Sequence, residues 1–272
     1  MKTFTFQISS NIQIFGNVWE TKEAKANLIL IHGAGEHIGR YNHWASYFNE
    51  QKINFFGTDH YGHGRSTGKR GHLPDYSIYL DEVKLLIQKV RLEHPNLPLI
   101  LYGHSLGGNI VLNWIIKNGL SFDFAIISAP WIRLNLVPPK WKINLMNFLG
   151  GLLPALSQKN ELNPSWLSRD SKVVENYIND PLVHNEITLS AAKTLFERAE
   201  FLNSYNKQIN AKVLIIHGLF DQITDPVASK EFSERTGIDF YGADGLFHEV
   251  HNEPEQEEIF NYICNWLKQN GL

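Results

Sequence analysis

Cysteine is nearly absent from this chain of 272 residues: Cys264 stands alone, so no internal disulfide can form. It falls among Ile259, Phe260, Ile263 and Leu267 at helical spacing, the setting of a packed core thiol. No eighteen apolar residues run together, which argues against a membrane-spanning helix, and the opening Met1 to Ile8 lacks the sustained apolar stretch of an export signal. Charge of one sign is missing too. With 25 basic and 28 acidic residues interspersed, the net charge of -3 leaves no basic stripe for a phosphate backbone, so nucleic acid is not an expected partner. Repeats and low-complexity tracts are also lacking. These absences point to a soluble, cytoplasmic protein, and 43% hydrophobic residues supply a substantial core.

What is present is an alternation of buried strands and amphipathic helices. Residues 3–8 and 12–19 alternate apolar and polar side chains about Ser9-Ser10-Asn11, predicting an antiparallel hairpin at one sheet edge. Leu28 to Ile31, Ile53 to Thr58, Leu99 to Tyr102, Phe122 to Ser128, Val213 to His217 and Ile238 to Tyr241 read as strands. Helical patterns follow most of them, including one around Val83, Leu86, Ile87 and Val90 that stops before Pro95. This rhythm predicts an α/β fold with a mainly parallel sheet and helices on both faces. It breaks from Trp131 to about Asn206, where helical patterns replace strands. The expected organisation is therefore a core of residues 1–130 and 207–272 with a helical cap, 131–206, inserted in it.

The chemistry centres on Gly103-His-Ser-Leu-Gly107, set between an apolar strand and an apolar-faced helix. So tight a turn strains the serine backbone and needs glycine two residues to either side; it lifts the Ser105 hydroxyl above the sheet beside a helix N-terminus. A serine hydroxyl needs a base and an orienting carboxylate, which in such folds follow in the order Ser, Asp or Glu, His. Asp221 sits just past the strand ending at His217-Gly218, and only His248 and His251 come after it. His248 lies in a glycine-rich loop before the last helix and is the expected base, whereas His251 reads as a solvated or capping residue. Asp225, before Pro226, reads as an N-cap, and Asp244 is too near His248 to come from a separate strand end. Backbone amides of Leu106 and, in the loop after the Leu28–Ile31 strand, Ala34 are the expected oxyanion donors. The histidines around His32, His37, His60, His63 and His104 match no zinc spacing, so neither a metal nor another cofactor is expected.

Six motifs stand in order: His32-Gly-Ala-Gly-Glu-His-Ile-Gly-Arg-Tyr41, Gly62-His-Gly-Arg-Ser66, Gly103-His-Ser-Leu-Gly-Gly108, Ser128-Ala-Pro130, Asn163-Pro-Ser-Trp-Leu-Ser-Arg-Asp170 and Asp180-Pro-Leu-Val-His184. Together they resemble the monoacylglycerol lipase branch of the α/β-hydrolases, a group that includes lysophospholipases. The resemblance implies the same residues: Ser105 as nucleophile, Asp221 as acid, His248 as base, Ala34 and Leu106 as oxyanion donors. Phe220 and Leu246-Phe247 depart from its pattern by being larger and less polar than is frequent there. It implies a serine hydrolase of monoacylglycerols or related single-chain esters, with lysophospholipase or general carboxylesterase as alternatives; a hydrolase-fold lipid or signal binder without turnover is the rival from another class.

Within 141–156, Leu145, Phe148, Leu149 and Leu152 follow helical spacing. Two expectations compete for them. They pack inwards onto the core, or they line an acyl pocket as a lid and touch lipid surfaces transiently, with Gly150-Gly151 weakening the helix.

Overall fold

The computed structural model describes residues 1–272 except Leu120, Pro138, Lys140, residues 142–147 and Glu161. Strands β1 (Lys2–Ser9) and β2 (Ile12–Trp19) form the expected edge hairpin, with a register shift between Gln7 and Ser9. β3 (Ala26–Ile31), β4 (Ile53–Thr58), β5 (Leu99–His104) and β6 (Phe124–Ser128) follow, each buried along its whole length. Two short strands, β7 (Ser157–Lys159) and β8 (Glu186–Thr188), pair with each other in a separate two-stranded sheet. β9 (Val213–Gly218) and β10 (Asp239–Ala243) complete an eight-stranded sheet in the order β1-β2-β4-β3-β5-β6-β9-β10. From β4 to β10 every neighbouring pair is parallel; β2 meets β4 antiparallel.

The central strands are largely apolar because helices cover both faces, with buried Asn27 and Asn54 paired to each other at 3.0 Å, and the two-residue period of a strand sorts their side chains between two cores. Ile29, Ile31, Leu99, Leu101, Val213 and Ile215 face one core. There they meet α2 (Ser77–Glu93), α3 (Leu106–Asn118) and two later helices, Leu189–Ser204 and Pro226–Thr236. Leu28, Leu30, Ile100, Tyr102, Leu214 and Ile216 face the other. That core holds α1 (Asn42–Glu50) and the C-terminal helix Gln256–Gln269, and Cys264 is buried within it.

Between β6 and β9 the chain leaves the main sheet. The hydrophobic pattern predicts no strand there, yet β7 and β8 form, three residues each, too short for alternation to register. Helix Ser171–Asn179 precedes β8, and Leu189–Ser204 follows it and packs on α3 through Ala191, Leu195, Ala199 and Leu202. Among the described residues, no helix is long and apolar enough to cross a membrane.

Parallel order places the carboxyl ends of β3, β5, β6, β9 and β10 along one edge, and ligands of such sheets bind beyond that edge. Ala34, Ser105, Asp221 and His248 lie in loops leaving it, and Leu106 opens the helix that follows β5.

Candidate active site

Ser105 stands between β5 and α3 with φ 54° and ψ -113°, a backbone region that side-chain-bearing residues avoid. The strain persists because neighbouring backbone overdetermines it: Ser105 N–H donates to Ser128 O at 2.9 Å, while its carbonyl accepts from Asn109 N and Trp131 N at 3.0 Å each. A Cβ at Gly103 would come within 2.6 Å of the Gly107 carbonyl oxygen, and one at Gly107 would overlap the Ile31 carbonyl. Both elbow glycines are therefore steric necessities.

Asp221 lies beyond β9, fully buried, and its carboxylate is saturated. Oδ1 accepts from the amides of Ile223 at 2.7 Å and Thr224 at 3.1 Å. Oδ2 lies 2.7 Å from His248 Nδ1, 2.9 Å from His217 Nε2 and 2.8 Å from the Thr224 hydroxyl, which donates to it. Burial opposes the negative charge, but the nearby imidazoles outweigh it and hold the carboxyl well below its usual range. The reciprocal effect acts on His248. Burial lowers its pKa, and the Asp221 carboxylate more than restores it, leaving the imidazole above its ordinary value.

With Nδ1 fixed on Asp221, the His248 ring borders a cavity of about 270 Å3 that Ser105 also lines. His104 packs against the ring with centroids 4.8 Å apart. Ala34 lines the same cavity, and the preceding Gly33 approaches the serine so closely that a Cβ there would sit 3.3 Å from Ser105 Cβ. Gly33 N–H is committed to Glu36 Oε1 at 2.6 Å. Leu106 opens α3, so its amide belongs to the first-turn donors that have no intrahelical partner. Glu36, Arg40 and Glu249 are the charged residues lining the cavity; Trp131, Leu134, Leu162, Trp166 and Ile187 make much of its apolar lining.

Structure and sequence part company at several residues. The cavity lining does not include Phe148, Leu149 or Leu152: Phe148 and Leu152 are 66% and 64% exposed, and Leu149 is half-buried. Leu145 lies outside the described residues. His251, expected to be solvated or capping, is instead buried against Tyr41, Trp44 and His104, where burial drives its pKa down to about 3 and keeps it neutral. Asp225 does cap its helix, accepting from Val227 N at 2.8 Å ahead of Pro226. His217 and Thr224, unassigned by sequence reasoning, are partners of Asp221. The signal for His217 was present in its four-residue spacing from the acid across a strand end. Among the described residues no three His, Cys, Asp or Glu side chains are grouped to hold a metal ion. His32 instead accepts from His60 N at 3.0 Å, and His60 pairs with buried Glu82 at 2.6 Å, bracing the loop that carries Ala34.

A family model described as serine aminopeptidase, S33, matches residues 22–255. An uncharacterized abhydrolase domain-containing protein of Dictyostelium discoideum is 36% identical over 249 residues, 90% of this chain, which spans only 26% of that protein's length. A monoacylglycerol lipase of Mycolicibacterium smegmatis is 30% identical over 261 residues, 94% of this chain and 93% of its own. Among solved structures, the Paleococcus ferrophilus monoacylglycerol lipase superposes with a TM-score of 0.86 at 30% identity, covering 95% of this chain and 99% of that one. With its strand order, elbow and loop arrangement already in hand, the chain belongs to the serine aminopeptidase S33 family of α/β-hydrolases, on the branch that carries the monoacylglycerol lipases.

Proposed function

We propose that the protein hydrolyses monoacylglycerols, or closely related single-chain fatty acyl esters, through an acyl-enzyme on Ser105. The observation that carries this reading is the sharing of one largely apolar cavity by an elbow serine and an imidazole anchored on a buried carboxylate. His248 Nε2 takes the Ser105 proton as the hydroxyl attacks the ester carbonyl. The amides of Ala34 and Leu106 receive the oxyanion, and the protonated imidazole then gives its proton to the departing glycerol alkoxide. Water, activated by the same base, releases the fatty acid. No cofactor is needed for either half.

Head-group choice follows from charge. Arg40 is the only cation among the described lining residues, and two carboxylates, Glu36 and Glu249, already occupy its guanidinium. A phosphate placed there meets no free positive charge and two acidic neighbours, whereas glycerol hydroxyls find both donors and acceptors. This favours monoacylglycerol over lysophospholipid. We assign residues 131–206 as the cap over the cavity, since Asn160, Leu162, Trp166, Tyr177 and Ile187 line it from that segment. Trp141, Phe148, Leu152, Leu153 and Leu156 are exposed in it and form the face that touches lipid surfaces. A cytoplasmic location is in keeping with the single buried free thiol.

A panel of one fatty acid as its glycerol, ethyl and lysophospholipid esters tests the head-group reading. The glycerol ester is expected to exceed the lysophospholipid in kcat/KM by at least about tenfold, the worth of a little over one kcal/mol; the reverse order would make the enzyme a lysophospholipase. With the glycerol ester presented in vesicles, a Phe148→Ser, Leu152→Ser variant should be several-fold slower, while a water-soluble short-chain ester is cleaved at the parental rate. Equal vesicle rates would remove the lipid-contact role.

A further inference from the structure

Arg40 stands where three parts of the molecule meet. Its Nη1 donates to Glu36 Oε2 at 2.6 Å and to Glu249 Oε1 at 2.7 Å, and its Nη2 donates to Glu249 Oε2 at 2.6 Å. Glu36 belongs to the loop after β3 and uses its other oxygen to accept from Gly33 N at 2.6 Å and the Tyr41 hydroxyl at 2.8 Å. Glu249 follows His248 directly, accepts from Asn252 Nδ2 at 2.7 Å, and gives its backbone N–H to Leu167 O at 2.8 Å. The guanidinium carbon lies over the ring of Tyr177, on helix Ser171–Asn179, 4.8 Å from its centroid. The three charged side chains are almost wholly enclosed, 10% exposed for Arg40, 3% for Glu36 and 2% for Glu249.

We propose that the Glu36–Arg40–Glu249 bridge is a positioning device that fixes the oxyanion loop and the histidine loop relative to each other. This inference rests on the assignment of Ser105, His248 and the Ala34 amide given above. A covalent path of one residue joins Ala34 to Gly33, whose amide Glu36 holds, and another joins His248 to Glu249; Arg40 closes the circuit between them. The forked guanidinium matters, because it engages Glu249 through two parallel bonds and still reaches Glu36. A lysine would supply the charge but not the fork. Two buried carboxylates around one cation also leave surplus negative character beside His248. Burial pushes the Glu36 carboxyl up, with Arg40 opposing, while Glu249 is held below its usual range by Arg40 despite its own burial. The groups facing His248 are Asp221 and Thr224 at Nδ1, His104 against the ring with His251 behind it, Ser105 across the cavity, Glu249 beside it in the chain with Arg40 and Glu36 beyond, and His217 beyond Asp221.

Arg40→Lys and Glu249→Gln keep size and test the device without leaving an unpaired carboxylate cluster. Each is to be assayed per active site, counted by titration with a fluorophosphonate, so that lost fold is not mistaken for lost chemistry. Each is expected to lower kcat about tenfold to a hundredfold, the cost of displacing a catalytic group by a fraction of an ångström to one ångström. The double variant should lose less than the product of the two single losses, since both break one bridge. In Glu249→Gln the acid limb of kcat/KM moves to lower pH, because a negative charge that favours protonated His248 is gone. Unchanged kcat per titrated site with only a lower Tm, or an acid limb that does not move, would reduce the bridge to a structural ion pair. Wild type that fails to titrate would instead remove the Ser105 assignment and this inference with it.

Discussion

Ser105→Ala is expected to lower kcat/KM for the glycerol ester by about 10^5 to 10^6, the loss seen when a serine hydrolase is deprived of its nucleophile, and to abolish labelling by a fluorophosphonate. The physical case is that nothing else in the cavity can take over. His104 and His248 are imidazoles whose rings pack together; Thr224 has its hydroxyl committed to Asp221 Oδ2 at 2.8 Å, with Ala129 O at 3.1 Å. Fold should survive. The hydroxyl contributes none of the bonds that hold residue 105, which run through its N–H and C=O. Circular dichroism and a Tm within a few degrees of wild type would therefore accompany the lost activity. Residual turnover from the oxyanion donors and binding alone is expected above the uncatalysed rate. A variant that keeps more than about a hundredth of wild-type turnover, or that is still labelled, would show that another residue is the nucleophile.

The elbow was legible in sequence because its cause is local. Gly103 and Gly107 flank the serine at fixed offsets, and their steric role is complete within one turn of strand and helix. Strand and helix order was legible for a related reason: strands covered on both faces are apolar without interruption, and helices between them carry a different period. Asp221 and His248 came from chain order and loop position. What stayed hidden depends on distant pairings. Arg40 and Glu249 are 209 residues apart, and nothing in either stretch marks them as partners. His251 misled because polar side chains near a helix start are ordinarily solvated; here three aromatic neighbours enclose the ring. The periodicity from Leu145 to Leu152 marks an apolar stripe but does not say whether protein or solvent covers it, and the described part of that stripe is turned outwards or half-buried.

Asp221→Asn is expected to reduce kcat/KM by about 10^4, the scale of losing the orienting acid of such a site, and the hydrogen bonds around this carboxylate specify why. Oδ1 accepts two backbone amides, from Ile223 and Thr224, which cannot reverse direction. The asparagine carbonyl must therefore take that side, and the new NH2 must face His217, Thr224 and His248 where Oδ2 had accepted. An NH2 donates, so His248 Nδ1 becomes the acceptor and the ring proton moves to Nε2. The nitrogen that should receive the Ser105 proton is then already protonated. Geometry is preserved and the base is lost. The pH behaviour follows with a definite sign. In wild type His248 is raised above its ordinary value, mainly by Asp221 working against burial, so the acid limb of kcat/KM lies above about pH 6.5. In the variant burial acts without the compensating charge, and whatever activity remains has its acid limb at lower pH. Stability moves as well. A carboxyl held below its unfolded value contributes stability that is present above about pH 4 and is lost as pH falls through its folded pKa, so the Tm gap between wild type and Asp221→Asn should narrow on acidification. An acid limb shared by the two proteins, with kcat/KM within about tenfold, would mean that Asp221 does not orient the base.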